Sequence, residues 1–106
     1  KGNGGKVNFT SVTFNDGTVI REDDRFATYV AALKHFGLDK AAEIAENSKL
    51  HRHHLPLICK TVQQTPPAPY TYEEVDGVYI MKGTNSMHRM LIKIGKELGI
   101  DFRMDE

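Results

Sequence analysis

The sequence predicts an α+β domain: a mostly antiparallel sheet of hairpins, in the order β-β-α-α-β-β-β-α-β, with helices packed on one face. Three observations carry that expectation. The pairs Asp16-Gly17 and Asp76-Gly77 each separate runs rich in β-branched and aromatic residues, a strong hairpin signal because glycine accepts the positive φ of a tight turn. Residues 23–37, 38–47 and 83–99 place apolar side chains at helical spacing. The elements group as hairpins and a helix pair, whereas a parallel sheet would require regular βαβ alternation.

Taken in order, KGNGGK at residues 1–6 offers nothing to bury and predicts a flexible tail, with residues 7–106 forming one domain. Residues 7–14 and 18–21 should pair across Asp16-Gly17. DDRFATYVAALKHFG opens on acids suited to a helix N-terminus and ends on a glycine suited to the position beyond the last turn, and Phe26, Val30 and Leu33 form its core stripe. Asp39 is placed to cap a second, shorter helix with a narrow edge of Ala41, Ile44 and Ala45. Two short helices joined at Gly37-Leu38 have the length of a helix-turn-helix, and equally that of any αα-hairpin.

LPLICK, residues 55–60, reads as one buried strand with Pro56 near its start. Three prolines within residues 66–69 stiffen a surface loop at 64–69. YTYEEVDGVYIM repeats the hairpin pattern. GTNSMHRMLIKIGKELG then supplies Thr84 or Asn85 as helix cap, a stripe of Met87, Leu91, Ile94 and Leu98, and Gly99 as the stop. The closing IDFRMDE alternates apolar and charged residues, the period of a half-exposed strand.

A chain of 106 residues has room for one hydrophobic core, and 40% hydrophobic with 26% charged residues is the balance of a globular domain. No apolar run approaches the ~20 residues of a membrane-crossing helix, and the opening residues lack a secretory core, so no membrane association is expected. One cysteine allows no internal disulfide, which suits a reducing, cytoplasmic location. The chain opens on Lys1, consistent with a processed product, a trimmed start or a piece of a longer protein. Formal net charge is zero, yet residues 49–96 hold seven basic against three acidic groups, a net +4. A mildly basic face is expected if folding gathers them.

The chemistry-bearing stretches point away from catalysis. HRHH at residues 51–54 sets His51 and His53 on one side of an extended strand, where two imidazoles can share a metal. The stretch has no carboxylate, and the chain has no Cys-x-x-Cys or His-Glu-x-x-His pattern, so no metal and no other cofactor is expected. HRHH then reads as a wet, weakly basic approach to a core strand, and Cys59 as a small buried hydrophobe. Ser86 and His88 lie two apart on a helix and face different ways. With no Gly-x-Ser-x-Gly elbow, no enzymatic activity is expected.

IMKGTNSMHR is more informative. It runs from a strand into the first turn of a helix, where free N–H groups and the dipole favour an anion. Lys82, His88 and Arg89 add charge and Thr84 and Ser86 add hydroxyls, without the spacing of a Walker loop. The expected site is therefore a phosphate contact to nucleic acid made by Lys49, Arg52, His53, Lys82, Thr84, Ser86, His88, Arg89 and Lys93, with Tyr70, Tyr72 or Tyr79 available to stack a base. The pieces GVYIM and GTNS, with a helix running into a short amphipathic strand, are similar to small α+β domains attached to bacterial or phage DNA-handling proteins, though none of these motifs specifies a family. The alternative expectation is a protein-interaction or assembly domain of a larger bacterial or phage protein, using the sheet edge, self-association or the Pro-rich loop.

Overall fold

Two Asp-Gly turns organise the strands. The computed structural model of the chain describes residues 9–48, 50–52, 54–84 and 86–105, and for Arg52 the backbone alone. The expected tail at 1–6 and the first two residues of the strand expected at 7–14 lie outside the described residues. In chain order the elements are β1 (Ser11–Phe14), β2 (Val19–Ile20), α1 (Arg25–Phe36), α2 (Leu38–Glu46), β3 (His51–Arg52), β4 (Leu55–Pro56), β5 (Ile58–Cys59), β6 (Thr71–Val75), β7 (Val78–Lys82), α3 (Met87–Leu98) and β8 (Phe102–Asp105).

The chain is a mixed α+β fold with two three-stranded antiparallel sheets, β2-β1-β8 and β5-β7-β6, and a small β3-β4 ribbon. In the first sheet Val12 pairs with Ile20 across the Asp16-Gly17 turn, and Gly17 takes a φ of 94°. Asp16 Oδ1 accepts from the Thr18 N–H at 2.9 Å, closing the turn. The other side of β1 pairs with the last strand, Ser11 opposite Asp105 through Phe14 opposite Phe102. In the second sheet Val75 and Val78 close a two-residue turn in which Asp76 and Gly77 both have positive φ, 50° and 85°. That is the backbone a tight hairpin with the native strand twist demands.

The helices begin and end for local reasons. The Asp24 carboxylate accepts from the Ala27 N–H at 2.7 Å and caps α1. Gly37, at φ 108°, ends α1 and serves as the N-cap of α2. Asp39 therefore sits inside the first turn of α2 instead of capping it, where its charge still suits the dipole. Ser86 occupies the N-cap of α3 and Gly99, at φ 68°, its C-cap. Of the two caps expected there, Thr84 lies before the helix start and Asn85 is outside the described residues.

All three helices touch one another, α1 also meets β1 and β2, and α2 meets β5 and β7. The core between them is continuous and includes Phe9, Val12, Tyr29, Leu33, Leu57, Ile58, Ile80, Met90, Leu91 and Ile94. Phe14, Phe36 and Phe102 form an aromatic knot, with Phe36 edge-on to both partners at 5.1 and 5.7 Å between centroids. Gly95 admits β8 against α3. A Cβ there would lie 2.5 Å from Phe102 Cε1 and 2.9 Å from the Ile100 carbonyl oxygen.

The largest departure from expectation lies at residues 51–59. LPLICK does not form one strand. Leu55-Pro56 turns back on His51-Arg52 as a ribbon, while Ile58-Cys59 joins the second sheet beside β7. His51-Arg52 is thus one arm of a ribbon, and His54, just ahead of its other arm, adopts φ 64°. The loop expected at 64–69 carries no helix or strand and contains a cis Ala68–Pro69 bond.

Candidate nucleic-acid interface

α3 has one buried side and one wet side. Met87, Met90, Leu91, Ile94 and Gly95 face the core. Arg89, Lys93 and Lys96, at i, i+4 and i+7, share the opposite edge, as the helical repeat requires. That edge forms one wall of a groove of about 560 Å³ whose other lining comes from Asn47, Ser48 and Leu50 at the end of α2, with Ile92 between the basic residues.

The α2 terminus closes the groove with satisfied polar groups. The Asn47 N–H and side-chain amide both donate to the Glu43 carbonyl, at 3.2 and 3.0 Å. Ser48 Oγ donates to the Ala45 carbonyl at 2.9 Å and accepts from the Leu50 N–H at 3.1 Å. The wall facing the cations is therefore preformed. Lys93 also reaches Glu97 at 3.1 Å, a solvent-facing i,i+4 pair worth only about 0.3–0.5 kcal/mol. An incoming phosphate can displace such a partner.

The residues expected at the start of α3 are arranged differently. Lys82 leaves β7 toward α1. Its ammonium lies 3.4 Å from Glu73 Oε1 and 5.0 Å from the centre of the Phe26 ring. It lines a separate depression with Glu22, Asp24 and Lys34. Thr84 and Ser86 are only 3% and 6% exposed, and Thr84 Oγ1 accepts from the Ser86 N–H at 3.0 Å. The Thr84 hydroxyl thus serves the turn into the helix, while the Ser86 side chain makes no capping bond. His88 is half-buried on the first turn of α3, and Arg89 is exposed.

Of the nine residues expected to contact phosphate, the fold therefore brings Arg89 and Lys93 together in one groove and sets Lys82 in another. Lys49, His53 and the side chain of Arg52 lie outside what is described. Lys96, beyond the first turn of the helix and outside the expected set, also belongs to the groove. The signal for it was in the sequence, seven residues after Arg89.

The tyrosines form a third depression. Tyr70, Tyr72 and Tyr79 line a groove of about 500 Å³ with Val62, Pro66 and Pro69. The Tyr72 hydroxyl donates to the Pro56 carbonyl at 2.6 Å, tying β6 to the β3-β4 ribbon. Burial, followed by the neighbouring Cys59, pushes the Tyr72 phenol up and keeps it neutral. Burial likewise pushes the Cys59 thiol up, which leaves little thiolate for nucleophilic chemistry. Among the described residues no three His, Cys, Asp or Glu side chains gather where they could hold a metal ion, and no helix is long and apolar enough to cross a membrane.

No protein-family model matches the chain, nor does any curated protein or solved structure. Fold and grooves together define a small α+β domain with one cationic helix edge and one apolar, tyrosine-lined groove.

Proposed function

We propose that the chain is a non-enzymatic binding domain that contacts nucleic-acid phosphates along the exposed edge of α3. The observation carrying this reading is the convergence of Arg89, Lys93 and Lys96 on one groove. Seven residues of helix rise about 10.5 Å, and one strand of a duplex presents a phosphate about every 3.4 Å of axis. Three cations over that length match a short run of backbone charge. Contacts of this kind position a chain on nucleic acid without reading bases, in keeping with an overall charge of zero and one modest basic face.

Anisotropy titrations with a labelled oligo-dT strand and a labelled duplex at low salt test this. The combined variant Arg89→Gln, Lys93→Gln, Lys96→Gln should lose at least about tenfold in affinity. Lys82→Ala, which changes a residue lining a separate depression, should bind within twofold of the parent. A triple variant that binds as well as the parent overturns the proposal.

A further inference from the structure

We infer that β6 is a strand-addition site for an extended segment of a protein partner that alternates apolar and basic side chains. This goes beyond nucleic-acid contact and does not depend on it. β6 ends the sheet β5-β7-β6. In an antiparallel ladder, pairs that exchange hydrogen bonds alternate with pairs that do not. The two-residue turn makes Val75 and Val78 an exchanging pair, so Glu73-Ile80 and Thr71-Lys82 exchange as well. The phase is consistent on the far side of β7, where the Met81 N–H donates to the Leu57 carbonyl at 2.9 Å.

The backbone groups of Tyr72 and Glu74 consequently point away from β7. Among the described residues no strand pairs beyond them. Unpaired N–H and C=O groups along a sheet edge are a template for an extended chain.

The side chains specify what kind of chain fits. Tyr72 and Glu74 lie two apart and share a face of the sheet with Tyr79, which is paired with Glu74. At Tyr72 that face opens into the tyrosine and proline groove, whose lining includes no charged side chain. At Glu74 it presents an exposed carboxylate. One oxygen of Glu74 accepts from the Gly77 N–H at 2.6 Å, and a carboxylate so used has a second oxygen with which to meet a cation. Asp76 follows at the turn.

An incoming strand sets alternate side chains on one face about 6.6 Å apart, matching the step from Tyr72 to Glu74. It therefore places an apolar side chain in the groove and, two residues on, a lysine or arginine opposite Glu74. A second copy of this chain fits less well. Pairing two TYEEV edges sets glutamates against glutamates, and like charges directly opposed destabilise a ladder.

The test uses the full chain, labelled with nitrogen-15, and a capped synthetic peptide of sequence Thr-Val-Thr-Lys-Thr-Val-Thr-Lys. The expected result is saturable movement of the amide signals of residues 71–75, with slowed hydrogen exchange at the Tyr72 and Glu74 amides. Replacing both peptide lysines by glutamate should weaken binding about fivefold or more, and N-methylating the peptide amides on the pairing side should abolish it. Absence of saturation at millimolar peptide, signal changes confined to other regions, or equal binding of the glutamate peptide would overturn the inference. Concentration-dependent shifts of β6 amides without peptide would overturn it in favour of self-association.

Discussion

Gly95→Ala isolates the contact by which the C-terminal strand docks on α3. Elsewhere in a helix the change would stabilise, since alanine is favoured over glycine by about 0.8–1 kcal/mol. Here the added methyl would stand 2.5 Å from Phe102 Cε1 and 2.9 Å from the Ile100 carbonyl oxygen, against an optimal carbon separation of about 3.5–4.0 Å. The ring must retreat by about 1 Å, yet Phe14 and Phe36 crowd it at 5.8 and 5.7 Å between centroids. The backbone is equally committed, because the Ile100 N–H donates to the Gly95 carbonyl at 2.9 Å. Overpacking a close-packed site costs about 1–3 kcal/mol, and the upper half of that range applies where both obstacles are fixed. Subtracting the helix preference leaves a net loss of about 1–2 kcal/mol. For a domain of this size that lowers Tm by roughly 5–10 °C. Thermal unfolding followed by circular dichroism, with the urea midpoint as a second readout, measures it. A variant as stable as the parent or more so would refute the docking of β8 on α3.

Two further predictions concern the turns and caps. Asp24→Ala removes the acceptor for the Ala27 N–H and should destabilise the domain by about 1 kcal/mol, whereas Asp24→Asn, which keeps a capping oxygen, should cost much less; equal losses from both in urea unfolding would contradict the cap. The Asp16 carboxyl is held below its ordinary value chiefly by the Thr18 backbone N–H, with the Thr18 side chain and His35 contributing as well. A depressed folded pKa stabilises fully above the unfolded value of about 3.9 and is lost as pH falls through the folded value. Stability of the parent should therefore fall more steeply below about pH 4 than that of Asp16→Asn. Parallel acid limbs for the two would contradict the turn interaction.

The parts of the fold that could be read from the sequence are those set by local chemistry. Asp-Gly pairs demand positive φ, and both hairpins formed around them. The α3 stripe is a helical period, and Met87, Leu91 and Ile94 are buried as that period requires. The β3-β4 ribbon was hidden because its turn contains neither glycine nor asparagine, and His54 pays the strain of a positive φ instead. Residues 55–59 are uniformly apolar, so periodicity alone could not show that Leu57 separates strands belonging to two sheets.

The candidate site divides along the same line. Lys82 is near α3 in sequence, yet pairing counted back from Val75-Val78 sets Glu73 diagonally from it on the same face. Arg89 and Lys93 are helical neighbours, and their shared groove follows from the period. What faces them, the end of α2, depends on tertiary packing that no local pattern encodes.

The salt dependence of oligonucleotide binding measures phosphate contact most directly. Three cations on one helix edge predict that log K falls against log salt with a slope near −2 for a single strand and near −3 for a duplex, shallower by about 1 in Lys93→Gln. A flat dependence, or a slope unmoved by substitutions along α3, would contradict the account.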